Sequence, residues 1–306
     1  MKRVAIIDMG TNTFHLLLAT TGDKKFTITH REKVPVKIGV GGINQGHLTP
    51  EGVERALRAM QSFKHTITKA GIDTVLAFGT SALRNANNGK EIAKKIEAET
   101  GIEVQIISGL EEADYIYRGI RAAINLGTEK CLIMDIGGGS VEFIIGNEQH
   151  KFWSRSFEIG GQRLLELFHR HDPITPQEVN ELFSFFKQEL QPLLDILKIH
   201  QPKILIGSSG TFDTLSDIYC LRNDLPVQET PETPFHIKAF NGIYEELLVK
   251  DRAARLQIQG MIEMRVDMIV VACCLIKFML SSHDFTHIRV SSYSLKEGVL
   301  TSLLSK

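Results

Sequence analysis

Two kinds of hydrophobic pattern alternate along the chain. Short, continuous apolar runs predict buried strands, whereas apolar residues that recur every three or four positions predict helices. Strands are predicted at 4–7, 14–19, 26–40, 75–78, 104–107, 204–206 and 288–291, with a strand–turn–strand over 131–145. Helices are predicted at 49–67, 88–100, 111–124 and 295–304, as two long helices over 161–200, and over most of 241–280. Strands that alternate with helices predict an α/β architecture.

Loops are predicted where glycine and proline interrupt these patterns. Thr49 and Pro50 form a helix start, with threonine as the cap and proline in the first helical position. Pro226, Pro231 and Pro234 predict an exposed loop over 223–236.

One pattern occurs twice. Asp8 and Gly10 precede an apolar run at the same spacing as Asp135 and Gly137, and each copy also follows an apolar strand. The repeat predicts one supersecondary unit near the start of each half of the chain. We therefore expect a ligand to lie between two similar lobes.

Length and charge narrow the class of protein. The 306 residues suggest about two domains. Lys and Arg number 35 against 36 Asp and Glu, for a net charge of −1, which argues against a strongly basic nucleic-acid-binding protein. No nucleic-acid partner is expected, and any polyanion site must come from local geometry.

The cysteines and the longest apolar run indicate a cytoplasmic protein. Cys131, Cys220, Cys273 and Cys274 form no C-x-x-C pair, which fits a reducing compartment. The run over 268–276 is far shorter than the ~20 residues of a membrane span, and predicts a buried helix. No signal-peptide core follows Lys2 and Arg3, and no membrane association is expected.

The two glycine turns are candidate phosphate sites. Glycines allow close backbone approach, and successive backbone N–H groups form an anion-binding concavity. The residues are Gly10, Thr11, Asn12 and Thr13 in the first turn, and Gly137, Gly138, Gly139 and Ser140 in the second. A single copy would more simply be an ordinary hairpin turn, but two copies at matched spacing favour the phosphate interpretation. A dinucleotide fingerprint fits poorly, because a strand rather than a helix follows each turn.

Carboxylates accompany these turns. Asp8 and Asp135 end apolar strands, and Glu142 lies on the strand that returns from the second turn. Asp135 and Glu142 beside a phosphate cradle suggest Mg²⁺, held by oxygen ligands and substrate phosphates. Glu111 and Glu112 open a helix, where carboxylates offset the helix dipole, and we interpret Glu111 in that way.

Weaker signals lie elsewhere. A Ser-Ser-Gly-Thr turn (Ser208, Ser209, Gly210 and Thr211) follows a strand and predicts either a phosphate or nucleoside contact or a plain helix cap. Arg84 follows a Gly-Thr-Ser turn and is the best candidate for a phosphate-binding arginine. Each of the other scattered basic residues is interpreted as a surface charge or salt-bridge partner: Lys37, Arg118, Arg121 and Arg265.

The segments that carry these residues resemble a known family in order over nearly the whole chain. They look like signatures of the exopolyphosphatase / guanosine pentaphosphate phosphatase (Ppx/GppA) family, and in particular of its short, two-domain members. The segments are AIIDMGTNTFHLLL (5–18), FGTSALRNANN (78–88), ISGLEEADYIYRGI (107–120), LIMDIGGGSVEFIIG (132–146), IGSSGTFDTL (206–215), GMIEMRVDMI (260–269) and SLKEGVL (294–300).

The resemblance implies an α/β fold of two actin-like ATPase (ASKHA) lobes, each ribonuclease H-like, with the site in the cleft. The C-terminal helix would return to the first lobe. The first lobe would then comprise 1–122 and 292–306 with the first phosphate turn, and the second 123–291 with the second turn. A homodimer is plausible on the same ground. Processive digestion of long polymers is not expected, since the sequence lacks the C-terminal helical extension of the longer members.

The resemblance also implies a reaction. Family members use Mg²⁺ to hydrolyse the terminal phosphoanhydride of inorganic polyphosphate, or the 5′-terminal phosphate of guanosine pentaphosphate. The family's catalytic glutamate falls on Glu112. The acidic metal and water ligands fall on Asp135, Glu142 and Glu112. The implied phosphate-binding residues are Asp8, Gly10, Thr11, Asn12, Thr13, Arg84, Gly137, Gly138, Gly139, Ser140, Ser209 and Gly210.

Two other function classes stay open. A kinase of the same fold would use the phosphate turns with ATP, although no acceptor-binding feature is evident. A non-catalytic nucleotide sensor or assembly module would be expected to lack the acidic residues Glu112, Asp135 and Glu142, which are all present.

Overall fold

Two units make up the chain in the computed structural model, which describes residues 2–22, 25–227 and 230–304. The first unit contains Met1–Ala122, Gly137–Gly139 and Leu295–Lys306, and the second contains Ala123–Ile136 and Ser140–Ser294. Each unit has its own mixed sheet, helices and hydrophobic core. The predicted α/β class is confirmed.

The sheet of the first unit has the strand order β3-β2-β1-β4-β5. Its strands are β1 (Lys2–Met9), β2 (Phe14–Thr21), β3 (Phe26–Val34), β4 (Thr74–Gly79) and β5 (Val104–Ile106). The first three form an antiparallel meander, and β4 and β5 add in parallel beside β1. The strand predicted over 26–40 ends earlier, at Val34, because Pro35 has no N–H to continue the ladder.

Among the described residues up to 123, four helices lie between or after these strands. They are α1 (Pro50–Lys69), α2 (Ser81–Asn85), α3 (Gly89–Thr100) and α4 (Gly109–Ala123), and a short 3-10 turn covers Ile43–Gln45. The side chain of Thr49 accepts a hydrogen bond from the N–H of Gly52, so the predicted cap of α1 is confirmed.

The second unit repeats this topology with one added strand. Its strands are β6 (Cys131–Ile136), β7 (Val141–Gly146), β8 (Lys151–Phe157), β9 (Ile204–Ser208), β10 (Glu232–Thr233) and β11 (His287–Ser291), in the order β10-β11-β9-β6-β7-β8. Without β10, the order and strand directions match those of the first unit. The sequence repeat therefore marks equivalent strands, since Asp8 lies near the end of β1 and Asp135 near the end of β6.

Seven helices lie in the part of the second unit that the structure describes. They are α5 (Gly161–Phe168), α6 (Pro176–Glu189), α7 (Gln191–His200), α8 (Gly210–Arg222), α9 (Ile237–Val249), α10 (Arg252–Leu256) and α11 (Ile269–Ser282). The expected buried helix over 268–276 is confirmed as the start of α11, which lies in the core of this unit. In the described part of the chain, no helix is long and apolar enough to cross a membrane.

One expectation for this unit is wrong, and two hold with a difference in detail. Three helices rather than two cover 161–200, because Pro176 starts a new helix and Pro192 cannot continue the one before it. Residues 257–268 interrupt the helices expected over 241–280. Strand β10 lies inside the loop predicted over 223–236, of which residues 228 and 229 fall outside the described part.

The last helix, α12 (Leu295–Leu304), packs in the first unit. A Cβ atom on Gly298 would lie 1.8 Å from the carbonyl oxygen of Tyr115 in α4, so only glycine permits this close packing. The buried carboxylate of Glu297 accepts a hydrogen bond from Arg31 on β3 at 2.8 Å. The C-terminal helix is thus fixed to the helix that carries Glu112.

Candidate active site

A row of polar residues crosses the sheet of the second unit. Ser291, Ser208, Asp135, Glu142 and Ser156 are successive register partners on β11, β9, β6, β7 and β8. Register partners on neighbouring strands place their side chains on the same face of a sheet. The row lies at the carboxyl end of the parallel strands, where α/β folds place their ligands.

The carboxylate of Asp135 accepts three hydrogen bonds from serine hydroxyls. Oδ2 accepts from the hydroxyls of Ser208 at 2.6 Å and Ser294 at 2.5 Å, and Oδ1 accepts from Ser209 at 2.7 Å. Asp135 is 5% exposed. Three hydroxyl donors therefore fix the orientation of a nearly buried carboxylate.

Glu142 is the second carboxylate of the row. It is 1% exposed, and its Oε1 accepts from the hydroxyl of Ser156 at 2.7 Å. Because Glu142 and Asp135 are direct register partners, the structure brings together the two residues that the sequence placed seven positions apart.

The equivalent row of the first unit is different in character. Asp8 pairs with His15 on β2 and with Phe78 on β4, so neither neighbour is a carboxylate or a hydroxyl. Asp8 itself is half-buried. Only the second unit therefore combines its aspartate with a second acid at this level of the sheet.

The first glycine turn is tightly built. Thr11, Asn12 and Thr13 are all buried. The carbonyl oxygens of Thr11 and Asn12 accept from the N–H groups of Gly39 at 3.2 Å and Lys37 at 2.8 Å. These bonds hold the turn from one side.

The second turn packs against the first within the same unit, since Gly137–Gly139 group with the first unit. A Cβ atom on Gly138 would lie 2.6 Å from Oδ1 of Asn12, and one on Gly139 would lie 2.4 Å from Oγ1 of Thr11 and 2.5 Å from Oγ of Ser81. Glycine is required at both positions for this approach. The two predicted phosphate turns are thus in contact.

Thr11 has a side chain whose hydrogen-bonding capacity is not met by protein. Thr11 is 3% exposed, and its Oγ1 has no hydrogen-bond partner among the described residues. A buried hydroxyl without a partner is costly, so it favours a ligand or water at this turn.

Glu112 lies in the first turn of α4 and is 8% exposed. Its Oε2 accepts from Nη1 of Arg84 at 2.8 Å, and the same Nη1 also donates to the carbonyl of Ile107 at 3.2 Å. The predicted catalytic glutamate and the predicted phosphate-binding arginine therefore form one ion pair.

The neighbouring Glu111 has a different role. Its Oε2 accepts from both the N–H and the hydroxyl of Ser108 at 2.8 Å, and these bonds lower the pKa of Glu111. This is a helix cap, in agreement with the interpretation of Glu111 as a structural residue.

Ser209 and Gly210 begin α8. Ser209 has a φ of 71° and donates to Asp135, and a Cβ atom on Gly210 would lie 2.0 Å from Nη2 of Arg265. The glycine therefore admits a guanidinium, which is a structural reason for its presence beside the predicted phosphate contact.

Arg265, interpreted from the sequence as a surface charge or a salt-bridge partner, is partly buried and lies near two acidic residues. Its Nε atom is buried without a hydrogen-bond partner in the described part of the chain. Burial lowers the pKa of Arg265, while the charges of Asp213 and Asp135 raise it. Arg265 is partly exposed as a whole, and its guanidinium lies beside the start of α8.

The protein donors fit a magnesium ion but do not form a complete cage. No group of three or more His, Cys, Asp or Glu side chains arranged for a metal occurs in the ranges that the structure describes. Asp135 and Glu142 nevertheless supply two oxygen donors on one face of the sheet. Mg²⁺ commonly takes one or two carboxylates and completes its coordination with water and substrate phosphates.

Known proteins share this architecture. The profile of the Ppx/GppA phosphatase family matches residues 17–306. The chain belongs to the Ppx/GppA phosphatase family.

Two solved structures illustrate the relationship. An exopolyphosphatase from Cytophaga hutchinsonii is 41% identical, with a TM-score of 0.95 over 99% of this chain and 98% of that one. The Ppx/GppA family member from Aquifex aeolicus is 24% identical, with a TM-score of 0.78 over 99% of this chain and 98% of that one. The predicted actin-like α/β fold and the predicted family are confirmed.

Sequence reasoning missed several residues of this Ppx/GppA site. Ser208, Ser294 and Ser156 hold the two carboxylates, and none of them was assigned that contact. Ser208 had a signal, because it stands in the predicted turn next to Ser209, and Ser294 had one as the first residue of the segment SLKEGVL. Ser156 had none, since an isolated serine in a strand is common in any α/β protein.

Proposed function

We propose that the protein is an exopolyphosphatase that releases orthophosphate from the end of inorganic polyphosphate. The observation that carries this proposal is the nearly buried carboxylate of Glu112, held on Oε2 by Arg84 at the start of α4. A carboxylate oriented in this way is suited to direct and deprotonate a water molecule. Membership of a phosphatase family supports the same conclusion.

The reaction is an attack of water on the terminal phosphorus. The water oxygen forms the new P–O bond, its proton passes to Glu112, and the phosphoanhydride bond breaks. Orthophosphate leaves, and the polymer becomes one phosphate shorter. Phosphoryl transfer of this kind requires positioning and neutralisation of charge more than covalent catalysis.

The two glycine turns are proposed to hold the phosphates. Their backbone N–H groups can face an anion only where no Cβ intervenes, and Gly138 and Gly139 satisfy that condition. The buried hydroxyl of Thr11 would donate to a phosphate oxygen and so gain the partner that it lacks among the described residues. The remaining predicted contacts of this set are proposed in the same role: Asp8, Gly10, Asn12, Thr13, Arg84, Gly137, Ser140, Ser209 and Gly210.

Asp135 and Glu142 are proposed to hold Mg²⁺. Glu112 is proposed as a further ligand of the same ion. When bound, the ion would neutralise charge on the phosphates and stabilise the leaving oxygen. The hydroxyls of Ser208, Ser209, Ser294 and Ser156 keep both carboxylates in place.

Polyphosphate is preferred as substrate because the Cytophaga hutchinsonii protein, 41% identical over 99% of this chain, is named an exopolyphosphatase. Guanosine pentaphosphate is the alternative, since the family description also covers GppA. Both substrates end in a phosphoanhydride, so the same groups would serve for either.

A phosphate-release assay on the purified chain tests this proposal. We expect Mg²⁺-dependent release of orthophosphate from polyphosphate, with a higher kcat/KM than for guanosine pentaphosphate. A higher value for the nucleotide would reassign the substrate. Binding of either compound without release would indicate a sensor, and transfer of phosphate from ATP to an acceptor would indicate a kinase.

A further inference from the structure

The hydroxyl groups around Asp135 limit how this carboxylate can bind a cation. A carboxylate has about four acceptor positions, two on each oxygen. Ser208 and Ser294 occupy both positions of Oδ2, and Ser209 occupies one position of Oδ1. One position, on Oδ1, is therefore left for a further partner.

Ser294 completes this arrangement from a distant part of the sequence. It lies 159 residues from Asp135 and immediately precedes α12. It is 8% exposed, so water competes little for its hydroxyl. The nearby turn is closed separately, since the hydroxyl of Ser291 donates to the carbonyl of Tyr293 and accepts from its N–H.

We propose that Ser294 is a positioning residue that restricts Asp135 to monodentate coordination and so favours Mg²⁺ over Ca²⁺. This inference rests on the proposed function, in which Asp135 is a ligand of the cation. With Oδ2 saturated by two hydroxyls, the carboxylate has no geometry available for bidentate binding. The two serine hydroxyls, and not the cation, therefore determine that Asp135 coordinates through one oxygen.

The chemistry of the two cations makes this restriction selective. Ca²⁺ takes six to eight oxygens and readily accepts bidentate carboxylates, whereas Mg²⁺ requires a compact octahedron and keeps several waters. A carboxylate with one free acceptor position can still bind Mg²⁺ through one oxygen. Ca²⁺ would lose the second oxygen that a bidentate carboxylate supplies. Groups that orient a metal ligand commonly change affinity by about 10-fold to 100-fold when they are removed.

Cation binding to the full-length chain without substrate tests the inference. Mn²⁺ serves as the probe, followed by its electron paramagnetic resonance signal, and Mg²⁺ and Ca²⁺ compete for it. We expect the wild type to prefer Mg²⁺, and Ser294→Ala to shift the ratio of the two competing affinities towards Ca²⁺ by at least about five-fold. Ser294→Thr keeps the hydroxyl and is expected to restore the ratio.

Two further variants make the result specific. Ser292→Ala is the matched control, because its hydroxyl donates to the carbonyls of Thr230 and Pro231 rather than to Asp135. Ser208→Ala removes the other donor to Oδ2, so it is expected to shift the ratio in the same direction even if Ser294→Ala does not fold.

The outcomes separate this inference from the proposed function. An unchanged ratio in both Ser294→Ala and Ser208→Ala overturns the inference, as does a wild type whose bound Mn²⁺ is not displaced by Mg²⁺. A shifted ratio in a protein that releases no orthophosphate would sustain the role of Ser294 and refute the exopolyphosphatase proposal.

Discussion

Nη1 of Arg84 donates a hydrogen bond to Oε2 of Glu112 at 2.8 Å, and the same nitrogen also donates to the carbonyl of Ile107 at 3.2 Å. The arginine thereby links the carboxylate to the segment that leads into α4. It fixes the direction of Glu112 before any substrate arrives. The two residues are best understood as a pair rather than as two separate contacts.

Glu112→Gln is expected to abolish phosphate release while leaving substrate binding intact. The amide keeps the shape of the side chain but cannot accept the proton of the attacking water, and loss of a general base costs about 10²-fold to 10⁴-fold in rate. The measurement is orthophosphate release, with polyphosphate binding followed separately. Glu111→Gln is the matched control, since its carboxylate only caps the helix, and it should retain activity. Near-normal turnover in Glu112→Gln would contradict the assignment.

Arg84→Lys is expected to lower kcat by a larger factor than it raises KM. Lysine keeps the positive charge but replaces the rigid, planar guanidinium, whose Nη1 contacts both Glu112 and Ile107, with a flexible ammonium group. We expect a decrease of about 10-fold or more in kcat, since a hydrogen bond to a charged group contributes roughly 1.5–3 kcal/mol. If KM rises while kcat is unchanged, Arg84 acts on the phosphate alone and not through Glu112. Arg58→Lys is the control, because Arg58 makes only an exposed ion pair with Glu54.

Gly139→Ala is expected to inactivate the enzyme without unfolding it. The new methyl group would lie 2.4 Å from Oγ1 of Thr11 and 2.5 Å from Oγ of Ser81, so the turn must move. Circular dichroism and phosphate release together check this outcome. Gly242→Ala, where no atom lies within 4 Å of the new Cβ, should retain full activity. Full activity in Gly139→Ala would show that the close approach of the turns is dispensable.

The sequence predicted the repeated strands and turns because their signals are local. Asp8 and Asp135 each stand at the end of a continuous apolar run, and the glycines follow at once. The helix cap at Thr49 was predictable for the same reason, since the threonine and proline are adjacent.

The hydroxyls around Asp135 could not be predicted, because their contacts are distant in sequence. Ser208 and Ser294 are 73 and 159 residues from Asp135, and only the strand order brings them together. The burial of Arg265 escaped prediction likewise, since it depends on the absence of a side chain at Gly210.

The four cysteines are expected to resist thiol reagents in the folded protein. All four are buried and free, and burial raises the pKa of Cys131 and of Cys274 to about 12 and also raises those of Cys220 and Cys273. At pH 8 a thiol with such a pKa is ionised to about one part in 10⁴, and only the thiolate reacts.

The check is titration with a disulfide reagent in buffer and in denaturant. We expect no rapid reaction in buffer and four reacting thiols in denaturant. Ser184→Cys places a thiol on the exposed face of α6 and should react quickly in the folded state, as the control. Rapid reaction of the wild type would show that one cysteine is accessible.

The second unit is expected to lose stability at acid pH, because the carboxylate of Glu178 becomes protonated there. Burial of its carboxylate raises the pKa, but four hydrogen bonds outweigh this effect and lower the pKa of Glu178 to about 2, from an ordinary value of 4.5. The donors are the backbone of Thr175, the His171 ring, the Thr175 hydroxyl and the backbone of Arg170. Because the folded-state pKa is depressed, the stabilisation is present above about pH 4.5 and is lost as the pH falls towards about 2. A shift of this size corresponds to roughly 3 kcal/mol.

Urea unfolding at pH 6.5 and at pH 3 measures this contribution. The wild type should lose stability between the two values, and Glu178→Gln should be less stable at pH 6.5 and change less with pH. Glu181→Gln is the control, since Glu181 pairs with Arg170 on the surface and should alter the unfolding midpoint little. An equal loss with pH in wild type and Glu178→Gln would mean that other carboxylates determine the acid sensitivity, and that the capping box of α6 contributes nothing through its charge.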